Sequence, residues 1–175
     1  MLFDIIPYRI DKDLGKAYNE QIALLPEDSH ICLRDADTCW LTPDYGTHLR
    51  TYIEKNPLAV LTCYTNRISE VSKQLFGMRR SADPNMANHI RIAQKRMNDL
   101  YTVTELKSDI SGFCLVFPRS LWVQQPFAET GKPLGIDTEW GRRIRAAGVP
   151  VLRMNGLYIW HTYRILDNSK KHLDV

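Results

Sequence analysis

Three observations on this 175-residue chain predict an α/β fold. Short apolar runs alternate with segments whose apolar residues recur every three or four positions, in the order strand, helix, strand, helix, strand. Hydrophobic residues make up 44% of the chain and charged residues 25%, the balance of a globular domain and not of a disordered one. The longest apolar runs, Leu58 to Leu61 and Phe113 to Phe117, fall far short of the ~20 residues a transmembrane helix needs. The length suits one domain, for which we expect a first half over 1–63 and a second over 64–175.

Leu2 to Ile6 reads as a strand. Leu14, Ala17, Tyr18, Ile22 and Leu25 then form a helix stripe, with Asp11 or Asp13 as its cap and Pro26 and Asp28 as its stop. Ser29 to Leu33 is a second strand, ending at Asp35-Ala36-Asp37. Pro43 suits the first turn of a helix running to Lys55. Leu58 to Cys63 lacks alternation, which predicts a strand buried on both faces. Arg67 to Val103 is polar and basic, and within it Ile90, Ala93 and Met97 share one face of a helix predicted over Met86 to Leu100. Phe113 to Phe117 is a strand opened by Ser111-Gly112 and closed by Pro118. Asp137 to Ala147 reads as a helix with Gly148 as its C-terminal cap. Val149 to Met154 and Leu157 to His161 read as two final strands, and the tail from Asp167 as loose.

A net charge of +3 is too small to imply a nucleic-acid polymer as partner without a clustered basic face. Met1-Leu2-Phe3-Asp4 lacks the basic region and apolar core of a signal peptide. Cys32, Cys63 and Cys114 lie in apolar stretches, and no Cys-x-x-Cys pair occurs, so reduced thiols are expected and zinc is not. These features together predict a cytoplasmic protein without a transmembrane segment.

Three groups of residues carry possible chemistry. Asp35 and Asp37, one residue apart at a strand end, point to one side, where open α/β sheets place ligands. Two carboxylates there suit a hard divalent cation, although alone they read more simply as a polar turn. Asp137 opens a helix, where the dipole favours an ionised carboxylate fit to act as a general base, or simply a cap with Glu139 behind it. His161 closes an apolar strand, either as a metal ligand or bonded to a nearby carbonyl. Tyr158 and Trp160 beside it read as packing residues before sugar platforms.

Taken together, the order of these features resembles the family 2 glycosyltransferases of the GT-A fold. The carrying residues are the helix from Leu14-Gly15 through Ala17 and Asn19, the Asp35-Ala36-Asp37 triplet, Ser111-Gly112-Phe113 to Pro118-Arg119, Gly135-Ile136-Asp137 with Glu139, Arg143 and Gly148, and His161. The resemblance covers nearly the whole chain. It implies a GT-A-like (Rossmann-like) mixed, mainly parallel sheet flanked by helices and N-terminally shortened, since the chain starts near the third strand of that plan, without about fifty residues of the nucleotide-binding half. It implies that 1–63 binds metal and diphosphate and that 64–175, with Arg67 to Val103, shapes the acceptor side. Asp35, Asp37 and His161 would hold Mn²⁺ or Mg²⁺, Lys16 and Asn19 would contact the donor, and Asp137 would be the catalytic base. Ile136 departs from the Glu usual beside that base.

The expected activity is transfer of a sugar from a nucleotide-diphosphate donor to a carbohydrate or other hydroxyl acceptor, with inversion. A weakened glycan- or nucleotide-binding module of the same fold is the alternative. A phosphodiesterase would need further His and Asp clusters for a two-metal site. An exposed sheet edge would also favour a homo-oligomer.

Overall fold

The computed structural model describes residues 1–66, 83–132 and 134–162. The elements are β1 (Leu2–Ile5), α1 (Leu14–Ala23), β2 (His30–Arg34), β3 (Thr38–Trp40), α2 (Tyr45–Lys55), β4 (Val60–Thr65), α3 (Met86–Arg96), β5 (Val103–Glu105), β6 (Cys114–Pro118), α4 (Arg119–Gln124), α5 (Ile136–Ala146) and β7 (Val151–His161). A 3-10 turn, Met97–Asp99, extends α3. The protein is α/β, with a mixed seven-stranded sheet ordered β1-β2-β6-β4-β7-β3 and β5 alongside β7. No helix among the described residues is long and apolar enough to cross a membrane.

The chain divides into two compact units. The first comprises Met1–Ala36, Ile53–Thr62 and Glu105–Leu152. In it β1 and β2 pair in parallel, from Leu2↔His30 to Ile5↔Leu33. α1 makes the crossover that a parallel pair requires. Asp13, not Asp11, is its cap, accepting the Lys16 backbone N–H at 3.1 Å, while Asp11 pairs with Arg9. The helix buries Ala17, Tyr18 and Ile22, as its stripe predicts.

β6 runs antiparallel to β2, with Ile31 opposite Phe117, and antiparallel to β4, with Leu61 opposite Val116. The mainly parallel sheet expected from the sequence is therefore corrected. β1, β2 and β4 share a direction through their helical crossovers, but β6 enters between β2 and β4 from the opposite end. Every residue of β6 is buried, and in β4 as well, so β4 is covered on both faces as expected; it starts at Val60 and not at Leu58, which is exposed. α5 adds Trp140, whose ring centroid lies 4.9 Å from Phe117 and 4.7 Å from Phe127. Burying side chains of this size contributes about 1.5–3 kcal/mol each. Gly148 follows α5 with φ at 80°, the left-handed cap predicted there. Cys32, Cys63 and Cys114 are buried free thiols, and Cys39 is exposed.

The second unit holds, among the described residues, 37–52, 63–66, 83–104 and 153–162. β3 and β7 pair antiparallel from Thr38↔His161 to Trp40↔Ile159. Two final strands are expected from the sequence, and here the structure corrects it: β7 runs unbroken through Asn155-Gly156. That pair makes no turn because its neighbours use it. Asn155 donates its backbone N–H to the Thr102 carbonyl at 3.1 Å and takes part in side-chain bonds to Thr102 and Thr104. A Cβ at Gly156 would lie 2.5 Å from the Leu100 Cα, so the strand is glycine there to let the backbone of Leu100 approach.

α3 docks through a buried imidazole. His89 Nε2 donates to the Asp83 carbonyl, an acceptor only, at 2.7 Å, and Nδ1 lies in hydrogen-bond contact with the Tyr158 hydroxyl at 2.9 Å. Asn85 caps this helix through the Ala87 N–H. β3, β5 and α4 are elements the sequence reading leaves as connections. Each is three to six residues long, too short to show a period.

Candidate metal and base site

In the first unit, β2 delivers Asp35 and α5 delivers Asp137. The Asp35 backbone N–H donates to the Phe113 carbonyl at 3.2 Å, which continues the β2–β6 ladder one step past the strand. Asp137 occupies the first turn of α5, where unsatisfied N–H groups favour a carboxylate. Its Oδ2 accepts the Gly112 backbone N–H at 2.6 Å, a charge-assisted bond. A Cβ at Gly112 would stand 3.3 Å from the Asp137 Cβ and 3.4 Å from Oδ2, tighter than ordinary contact. The Ser-Gly pair before β6 thus seats the carboxylate. Tyr18 is drawn into the same neighbourhood: burial pushes its hydroxyl well above the usual tyrosine value, and the charges of Asp35 and Asp137 push it further. The sequence shows Tyr18 only as one member of an apolar stripe.

Lys16 sits in the first turn of α1 and completes the Asp13 cap with its backbone N–H. Asn19 is committed to the protein itself. Its Oδ1 accepts from Trp122 Nε1 at 2.8 Å and the Phe127 N–H at 3.1 Å. Its Nδ2 donates to the Phe127 carbonyl at 2.9 Å and Glu129 Oε1 at 3.0 Å. Two donors and two lone pairs are thereby used, so Asn19 ties α1 to the 122–129 segment.

In the second unit, the Thr38↔His161 pairing carries His161 to Asp37. His161 Nε2 lies 3.2 Å from Asp37 Oδ1, with the imidazole buried and the carboxylate 44% exposed. The Asp37 carbonyl accepts from the Thr162 N–H at 2.9 Å and from its hydroxyl at 3.0 Å. Burial alone would push the Asp37 carboxyl up. The hydrogen bond and charge of His161, with bonds from its own backbone and from Thr162, outweigh that and hold it below the usual aspartate value.

Asp35 precedes Asp37 by a single alanine. One ligand atom each from Asp35, Asp37 and His161 lies within 4.8 Å of the others. Hard divalent cations bind oxygen at about 2.0–2.6 Å, so atoms on opposite sides of one ion stand up to about twice that apart. The spacing and the donor set, two carboxylates and an imidazole, therefore suit a divalent cation. Arg67 and the stretch to residue 82, expected on the acceptor side, lie outside the described residues.

No protein-family model matches this chain, and no curated protein matches it. What the fold and the cluster define is an α/β protein with a candidate metal centre at a strand end.

Proposed function

We propose that this protein is a metal-dependent glycosyltransferase that moves a sugar from a nucleotide-diphosphate donor to a hydroxyl acceptor, with inversion. The observation that carries the reading is the convergence of Asp35 and Asp37, just past β2, with His161 at the end of β7. A cation held by these three would neutralise charge developing on the diphosphate leaving group. Asp137 is the base in this reading. The Gly112 N–H and the α5 terminus both favour its ionised form, the state that accepts a proton from the attacking hydroxyl. Asp35 and Asp37 supply negative charge for the cation, and His161 supplies a neutral ligand. The sequence resemblance supports the same roles at these residues.

The test is a panel of nucleotide sugars with Mn²⁺, read by thermal shift and by donor hydrolysis. Stabilisation by one nucleotide sugar, dependent on Mn²⁺ and lost in Asp37→Ala, supports the proposal. Stabilisation by none of them, with or without metal, overturns it.

A further inference from the structure

Asn66 directly follows β4 and belongs to the second unit, with Asp37 and His161. Its carboxamide bonds twice to one residue. Oδ1 accepts the His161 backbone N–H at 2.7 Å, and Nδ2 donates to the His161 backbone carbonyl at 3.0 Å. The Thr65 hydroxyl donates to the same Oδ1 at 3.4 Å. β4 and β7 are sheet neighbours, and β4 has ended at Thr65. The side chain thus stands in for the next rung of the ladder.

The opposite edge of His161 belongs to β3, where Thr38 is its register partner. The His161 N–H and carbonyl both face Asn66, while on the β3 side the next residue, Thr162, donates its N–H to the Asp37 carbonyl at 2.9 Å. With the strand fixed on both edges, only the ring torsions remain to place Nε2 against Asp37. Asn66 is 2% exposed and His161 3%, so water does not compensate cheaply for a lost bond.

We infer that Asn66 is a positioning residue: it sets the backbone of His161 and thereby where the imidazole meets Asp37 and a cation. The consequence for metal binding rests on the cation reading above, whereas the consequence for the ring does not. Asparagine suits the task because one planar group offers both a donor and an acceptor. Aspartate would keep the acceptor but set a carboxylate oxygen against the His161 carbonyl.

The experiment uses the full chain as wild type, Asn66→Ala, Asn66→Asp, His161→Ala and the Asn66→Ala/His161→Ala double variant. Far-UV circular dichroism and melting establish that each is folded. The first readout is the ¹⁵N NMR signal of the His161 ring without metal, assigned by its disappearance in His161→Ala. It should shift in Asn66→Ala. The second is Mn²⁺ affinity by electron paramagnetic resonance. It should fall about tenfold in Asn66→Ala, in the range for residues that orient a ligand, and should fall no further when Asn66→Ala is added to His161→Ala.

An unshifted ring signal in a folded Asn66→Ala variant overturns the inference. So does an equal loss of affinity in the His161→Ala background, which would mean that Asn66 acts on another group. If the alanine variant does not fold, Asn66→Asp takes its place: a shifted ring signal supports the inference and an unshifted one overturns it. Failure of the wild type to bind Mn²⁺ sinks the cation reading, and the ring signal then decides the positioning role by itself.

Discussion

Asp137 and Asp37 are both strand- or helix-end carboxylates, yet the two units hold them by different means. Asp137 rests on backbone: the Gly112 N–H and the first turn of α5 define its place, and a glycine keeps the space clear. Asp37 rests on a side chain far along the chain, His161, whose own backbone is clamped by Asn66. A backbone cradle is rigid and tolerates little crowding. A side-chain partnership adjusts, and it leaves Asp37 exposed enough to accept another ligand. The first arrangement suits a group that must hold one orientation during a proton transfer. The second suits a group that exchanges an imidazole contact for a cation.

The contrast is broken most severely at Asp137. Under the proposed transferase reading, Asp137→Asn should lower transfer by about 10²–10⁴-fold, the usual contribution of a general base, with donor binding retained. Single-turnover kinetics on a saturated donor measure this. Near-wild-type turnover would hand the role to another acid, with Glu139 the first to examine.

Asp37→Ala comes next. Mn²⁺ affinity should fall by more than about tenfold, and by more than in His161→Ala, because the carboxylate brings charge as well as a donor atom. Calorimetric titration reads both variants. A larger loss in His161→Ala would reverse the ranking. The melting temperature of metal-free Asp37→Ala should fall only slightly, since its partly exposed carboxylate contributes under ~1 kcal/mol.

Gly156→Ala probes packing in the second unit without touching the site. A methyl group 2.5 Å from the Leu100 Cα forces β7 and the 3-10 turn apart, at a cost of about 1–3 kcal/mol. Urea denaturation measures it. An unchanged midpoint would show that the strand can shift freely there.

The smallest effect is the pH dependence of Asp37. Its folded pKa is depressed, so the associated stability is present above the unfolded value near ~3.9 and is lost as pH falls through the folded value. With the side chain 44% exposed, the gain is held to under ~1 kcal/mol. Melting of wild type against Asp37→Asn should show a gap near pH 5 that closes toward pH 2. A constant gap would remove the electrostatic pairing from the account.

Local chemistry determined much of this protein directly from its sequence. The α1 stripe, the unalternating β4, the Gly148 cap and the α/β alternation are all written in residues a few positions apart, because helices and strands answer to periods of 3.6 and 2. The nearness of Asp35 to Asp37 is of the same kind, since one alanine joins them. Tertiary structure alone decided what depends on distant partners. Asn155-Gly156 carries the letters of a turn, yet Thr102, Thr104 and Leu100 hold it in mid-strand. Asn19, which the sequence resemblance assigns to the donor, is a four-bonded anchor where the 122–129 segment meets α1. β6 reversed the expected direction because its entry depends on the path of the chain, which no local pattern encodes. Asn66 had no motif at all: its role exists only because β4 stops one residue before the backbone of His161 needs a partner.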